Sequence, residues 1–227
     1  MHWVDPLIFP PATAVILRFL ELSITIDFWL DFFSSLGRLA LGAAIAVPFA
    51  LSFSVYIHFK LMGSALVKDL LSFSYSFPKV ALLPLILMVF GLGEASKVAL
   101  VSLGIFFLVW LNTQAGLSRI SEMGFQSLAK VYKVSLFSML TRVLLRGALP
   151  EILTGLKTGL GYGLVMVVVA EFSLGEIGLG ARLWNSWEKF DILTVYATIF
   201  YLGLVSWSLG FLFDHLNRKY SRHYARI

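Results

Sequence analysis

The residues with chemistry to offer are few, and their spacing does not suit catalysis. The four histidines, His2, His58, His215 and His223, are scattered near ends and loops, with no H-E-x-x-H or comparable metal-ligating spacing. There is no cysteine, which excludes disulfides, thiolate metal sites and cysteine nucleophiles. No glycine-rich loop leads into a Lys followed by Ser or Thr, so nucleotide phosphates have no P-loop to rest in. No catalytic residue, metal ligand or cofactor bound by this chain is expected. Two carboxylates never pair inside one apolar stretch, so the groups used by proton- or sodium-coupled carriers are missing. If the chain moves a solute uphill, the energy comes from a partner.

What remains suits contact more than bond-making. Gly155, Gly159 and Gly163 recur every four residues and so share one helix face, a tandem G-x-x-x-G that lets another backbone approach closely. That face either packs inside one subunit, or meets a second subunit or a translocation path. Gly42, Ala46 and Ala50 make a similar small face earlier in the chain. Asn112, Thr113 and Gln114 form a polar cluster that lines a pathway or hydrogen-bonds across helices. Glu171 closes an apolar stretch; it marks the interface, or pairs with Arg38 or Arg182 as a gate. Pro78 and Pro84 break or kink another stretch. Between them Lys79 is expected to snorkel or to face a wet vestibule.

The elements that must position these residues are membrane spans. Hydrophobic residues make up 59% of the 227 and charged residues 14%, and the mean hydropathy is +0.86. Soluble domains carry fewer apolar and more charged residues. A pI near 9.5 would fit nucleic acid, but the positive charge sorts by side of the membrane and forms no patch interleaved with stacking aromatics. A spanning helix needs about 20 mostly apolar residues. Candidates run from about Ser34 to Ile57, Leu70 to Leu92 (holding both prolines), Ala95 to Gly116, Leu149 to Glu171 and Ile192 to Phe213.

Thirteen of the eighteen Lys and Arg residues flank these spans on one side. They are Lys60, Lys68, Lys79, Arg119, Lys130, Lys133, Arg142, Arg146, Lys157, Arg218, Lys219, Arg222 and Arg226. Arg18, Arg38, Lys97, Arg182 and Lys189 lie opposite. Cytoplasmic loops collect Lys and Arg, which places the C-terminus in the cytoplasm and, with five spans, the N-terminus outside. Met1 to Asp5 lacks a basic n-region, so no cleaved signal is expected. Residues 1–33 are expected to form an outer interfacial segment, with a helix over Thr13 to Ser23 that is too short to span. The polar stretch 117–147 is the cytoplasmic excursion; Leu136, Met139, Leu140, Val143 and Leu144 predict a short amphipathic helix within it. The outer stretch from Phe172 to Asp191 reads as a loop and short helix with interfacial Trp184 and Trp187. The fold expected is an all-α polytopic bundle, one transmembrane domain over 1–227.

Several motifs together resemble the permease subunits of ABC importers of the nitrate/sulfonate/taurine/bicarbonate type. These are Ala81-Leu82-Leu83-Pro84, Phe90 through Lys97, Leu111-Asn112-Thr113, Ala148-Leu149-Pro150 with Ile152 through Lys157, Val167 through Phe172, and Gly175 to Gly180. The resemblance covers roughly residues 5–220. It implies a type I importer permease in a bacterial inner membrane, working by alternating access. The implied partners are a second permease subunit (identical or not), ATP-binding cassette subunits that carry ATP and Mg, and an extracytoplasmic solute-binding protein. The implied solute is a small sulfonate-, nitrate- or taurine-like anion, or a small vitamin precursor. The implied coupling residues are Ser127, Ala129, Lys130, Lys133, Leu136 and Leu140. The residues' own spacing and type, apart from the resemblance, offer Asn112, Thr113, Gly155, Gly159, Gly163 and Glu171 for the path or gate.

Three departures accompany the resemblance. Such permeases usually carry a Glu-Ala-Ala, three residues, then Gly, and later a Leu-Pro; here those positions read Ser127-Leu128-Ala129, Lys133 and Leu145-Arg146. Family members also usually begin with one more span. A secondary carrier or channel and a specialised, non-conducting half of a heterodimer are the competing readings.

Overall fold

The computed structural model describes residues 8–61, 73–74, 76–124, 134–175 and 177–224, and among them it is helical with no strand. Helix α1 (Ala12–Ser23) starts after Pro11, whose extended backbone sets the first turn. It is the short helix expected there. Ile24 and Thr25 link it to α2 (Ile26–Leu61), in which Pro48 is accommodated. α2 begins eight residues before the expected span, because the polar positions Asp27 and Asp31 continue the helix instead of interrupting it. At about 1.5 Å per residue its 36 residues reach about 54 Å, more than a bilayer's hydrocarbon thickness.

The prolines decide the next element. Pro78 is extended, Lys79–Leu82 form a single 3₁₀ turn, and α3 (Leu83–Phe90) opens with Pro84 in its first turn. Proline's missing N–H costs nothing there, so the two prolines end one segment and start another. Lys79 does not reach a wet surface. It is buried, with its ammonium 5.7 Å from the centre of the Phe107 ring, a cation–π contact that offsets part of the desolvation.

Helix α4 (Glu94–Glu122) follows. The next helical stretch, α5, joins Leu136–Ser138, a π-helical Met139–Leu144 and Leu145–Gly147. α6 (Leu149–Leu174) has Pro150 in its first turn, α7 spans Leu179–Glu188, and α8 runs Ile192–Tyr224. Among the described residues, four helical stretches are long and apolar enough to cross a membrane: Ile26–Lys60, Glu94–Glu122, Leu149–Leu174 and Ile192–Lys219. The apolar stretch Lys79–Phe90 is shorter than that, and residues 70–72 and 75 of the expected second span lie outside the described residues.

Contacts fix the directions. Arg38 meets Glu94, Gly42 faces Val101 and Ser54 reaches the Trp110 carbonyl, so α2 and α4 run parallel. The chain between them must therefore return from one end of the bundle to the other. α6 is antiparallel to α4: Gly116 lies against Ala148 and Glu151, Gly155 against Asn112, and Gly163 against Ile105. The shared core of Leu39, Leu100, Ile105, Val109, Met166 and Val167 sits among α2, α4 and α6. A second core of Leu22, Phe28, Leu179, Ala197 and Tyr201 joins α1 and α7 to the starts of α2 and α8. One end of the bundle thus carries α1 and α7, and the opposite end carries α5.

Candidate functional site

At the α1–α7 end a polar stripe on α2 organises the packing. Asp31, Ser35 and Arg38 stand at i, i+4 and i+7, one face of a helix. Glu171, in the last turn of α6, is fully buried. Its carboxylate accepts from Arg38 Nη1 at 2.5 Å, from Ser35 Oγ at 2.8 and 2.9 Å, and from the Gly180 N–H at 2.7 Å. Arg38 Nη1 also donates to the Ile177 carbonyl, while Nε and Nη2 hold Glu94 at 2.7 and 2.8 Å. Lys97 donates to the same Glu94 at 2.8 Å.

The opening of α7 is where these contacts matter. A helix N-terminus has N–H groups with no partner of their own. Here the Gly178 N–H donates to Asp31 Oδ1, the Leu179 N–H to Ser35 Oγ, and the Gly180 N–H to Glu171 Oε2. Residues of α2 and α6 thus cap α7 in place of a local side chain, and two carboxylates stand at its positive dipole end. Glycines make the approach possible. A Cβ on Gly178, whose φ is +134°, would collide with the Glu171 carboxylate, and one on Gly180 would lie 2.9 Å from Glu171 Cβ.

A second polar group lies beside it. A cavity of about 300 Å³ is lined by Arg18, Asp31, Arg182, Lys189, Asp191 and Thr194, among others. Arg182 pairs with Asp31 at 2.6 Å and Arg18 with Asp191 at 3.3 Å. Burial alone would push the Asp191 carboxyl up. The hydroxyl and backbone N–H of Thr194, helped by the Arg18 charge, outweigh it and hold Asp191 below its usual range.

The opposite end is built differently. α5 buries Met139 and Leu144 against Leu117, Ile120, Ala148 and Ile152, as its spacing predicted. Arg119 clamps the junction, donating to Glu151 at 2.7 Å and to the Gly147 carbonyl at 2.9 Å. Phe137 projects from the start of α5, 76% exposed. In a regular α-helix it would share the edge of the apolar stripe with Leu140 and Leu144, and the π-helical turn over Met139–Leu144 is what turns it away.

The residues singled out from the sequence divide clearly. Ser127, Ala129, Lys130 and Lys133 lie outside the described residues. Leu136 opens α5 and Leu140 is half-buried within it. Asn112 is half-buried and donates to its own helix at Leu108, whereas Thr113 and Gln114 are buried. Gly155, Gly159 and Gly163 face α4 within the same chain, where a Cβ would stand 2.9, 3.1 and 2.7 Å from its atoms. Glu171 pairs with Arg38, not Arg182. Asp31 and Ser35 were missed, although their spacing with Arg38 in an apolar helix was the available signal. By contrast, a groove of about 730 Å³ between α2, α3 and α4 is apolar, lined by residues such as Ile45, Phe49, Val89 and Phe106, with Ser102 among them.

Comparison with known proteins agrees with this architecture. Residues 46–223 match the family described as binding-protein-dependent transport system inner membrane component. The chain is 28% identical to the taurine transport system permease protein TauC of Escherichia coli, over 100% of this chain and 84% of that one. It is 28% identical to the putative aliphatic sulfonates transport permease protein SsuC of Escherichia coli, over 88% and 76%. With the nitrate import permease protein NrtB of Leptolyngbya laminosa it shares 26% identity, over 82% and 66%. In fold it is similar to the MetNI methionine ABC transporter solved in inward-facing conformations, with a TM-score of 0.66 at 15% identity, covering 93% of this chain and 98% of that chain. With four helices among the described residues able to cross a bilayer, the protein is a multi-pass membrane permease component, and it belongs to the family of binding-protein-dependent transport system inner membrane components.

Proposed function

We propose that this chain is the permease subunit of an ATP-driven importer in a bacterial inner membrane, with its α5 end in the cytoplasm. The solute class proposed is a small anion of the sulfonate, taurine, nitrate or bicarbonate kind, on the strength of the relatives' names. ATP and Mg belong to partner subunits; this chain supplies the path jointly with a second permease subunit.

The observation that carries the orientation is how many cations each end holds. At the α1–α7 end, Arg18, Arg38, Lys97 and Arg182 are each ion-paired, and Lys189 enters no ion pair among the described residues. At the α5 end, Arg119 and Lys157 have carboxylate partners. Lys60, Arg142, Arg146, Arg218 and Lys219 enter no ion pair among the described residues. Cytoplasmic loops are those that collect Lys and Arg, with Asp and Glu contributing little, and these seven at the α5 end outnumber the five at the α1–α7 end.

Coupling follows from rigidity. α5 is welded to the ends of α4 and α6 by a buried apolar cluster and the Arg119 clamp. Movement imposed on Phe137 or Leu140 by an ATPase groove would therefore carry α4 and α6 with it. Ser127, Ala129, Lys130, Lys133 and Leu136 are assigned to the same contact. At the other end the capped α7 and the charged cavity beside it present a rigid polar face to a solute-binding protein. Asn112, Thr113, Gly155, Gly159, Gly163 and Glu171 serve the path from behind, as the packed frame of its wall.

The test is sidedness in sealed cells. A single cysteine at Arg146, in this cysteine-free chain, is expected to resist an impermeant maleimide from outside, whereas one at Lys189 reacts. Labelling of Arg146→Cys from outside overturns the orientation and the ATPase contact together.

A further inference from the structure

The basic end of α8 carries a feature that transport does not use. A groove of about 530 Å³ opens against Phe211, His215, Arg218 and Lys219. Spaced i, i+4, i+7 and i+8, the four share one face of the helix. All four are exposed. None of the three basic side chains enters an ion pair among the described residues. The neighbouring carboxylate, Asp214, is held by Lys157 of α6 at 2.6 Å, and its charge is thereby spent. Arg218 uses one N–H on the Asp214 carbonyl, of the five a guanidinium carries.

One turn deeper the face changes character. Trp207 is 67% exposed and stacks on Phe211, with ring centres 5.7 Å apart. Leu204 and Leu212 are exposed beside them. From Trp207 to Lys219 the stripe is about 18 Å long at 1.5 Å per residue, cationic at the end of the span and apolar within it. It lies at the boundary where the apolar stretch Ile192–Lys219 ends.

We infer that this groove binds an anionic phospholipid. The phosphate sits among His215, Arg218 and Lys219, and the acyl chains run along Phe211 and Trp207. A soluble anion would satisfy the cations but leave the aromatic stripe uncovered, and an acidic protein surface cannot follow the stripe to membrane depth. An amphiphile matches both halves at once. The inference rests on α8 spanning the bilayer and is independent of which solute or ATPase the chain serves.

The experiment uses the full chain reconstituted in nanodiscs of phosphatidylglycerol and phosphatidylcholine. Lipid retained after detergent extraction is then quantified by mass spectrometry. Wild type is expected to retain phosphatidylglycerol preferentially. Arg218→Gln/Lys219→Gln weakens that retention about 25-fold, at roughly fivefold per cation, while Arg218→Lys/Lys219→Arg keeps it. Unchanged retention in the Gln pair, or no preference in wild type, overturns the site. A photoreactive phosphatidylglycerol on the wild type reads the site without any variant. Cross-links within 207–219 support it; cross-links confined elsewhere overturn it. Complete displacement by soluble glycerol phosphate would make it a plain anion site. Loss of a co-purifying ATPase from the Gln pair, with phosphatidylglycerol retention intact, would assign the face to a protein. Either result sinks the proposal and leaves the transport reading standing.

Discussion

Arg38 Nη1 and Glu171 Oε1 lie 2.5 Å apart across 133 positions of sequence, with side chains 6% and 0% exposed. Such a pair is not a strong source of net stability, since both charges are desolvated. Its weight is in what a half-removed pair would leave behind: a buried charge with no counterpart. Glu171→Ala is expected to lower stability by about 3–5 kcal/mol. Glu171→Gln costs less, because an amide oxygen still accepts from Ser35 and Gly180. Melting of the purified chain in detergent checks the order, and a smaller loss for Ala than for Gln would contradict the capping of α7 from α6.

The glycines of α6 separate by neighbour. Gly155 has Asn112 Cβ, Val109 Cα and the Leu108 carbonyl against it, and backbone cannot step aside. Gly155→Ala is expected to destabilise by about 1–3 kcal/mol. Gly161 has nothing within 4 Å on the same helix. Gly161→Ala should be neutral or stabilising by up to about 1 kcal/mol, since alanine is the better helix former. Equal melting temperatures for the two variants would argue against α4–α6 contact through this face.

Phe137 and Leu144 sit seven residues apart on α5 with opposite exposure, 76% and 0%. Phe137→Asp is expected to leave melting unchanged and to cut solute-stimulated ATP hydrolysis in the assembled transporter at least tenfold. Leu144→Asp should instead prevent stable folding, because it buries an unpaired carboxylate. Full stimulated hydrolysis in Phe137→Asp would remove that ring from the ATPase contact.

Acid should loosen the α1–α8 junction. A carboxyl held below its ordinary value of 3.8 stabilises the fold fully above that value. The contribution fades as pH falls through the lower, folded value, when protonated Asp191 releases Arg18 and Thr194. Wild type is therefore expected to lose its margin over Asp191→Asn as pH drops below about 4. Melting curves from pH 7 to pH 3 measure it; a constant margin would rule out Asp191 as a contributor.

Much of this was legible in one dimension. Apolar runs of about 20 residues, a lopsided count of Lys and Arg, and the positions of Pro78, Pro84 and Pro150 are local properties. A bilayer and a backbone read them without reference to the rest of the chain. The same holds for the short helices, since Val15, Phe19 and Leu22, or Met139 and Leu144, show their buried face by spacing alone. α2 started early for a reason that composition obscures: Asp31 reads as an interruption until it is seen to cap α7.

The choices among partners were not local. Glu171 had two arginines within reach of a sequence argument; proximity in space gave it Arg38 and gave Arg182 to Asp31. Gly155, Gly159 and Gly163 share a face by periodicity, but their azimuth toward α4 depends on how α6 rotates in the bundle. Lys79 was expected at a wet surface, and it lies buried beside the Phe107 ring. Apolar length and proline position alone set the solvent, four of the five expected spans and where helices break, because those follow from residues and near neighbours. Tertiary structure decided which charges meet and which faces touch, because such contacts join residues far apart in the chain and depend on helix rotation, which no local pattern contains.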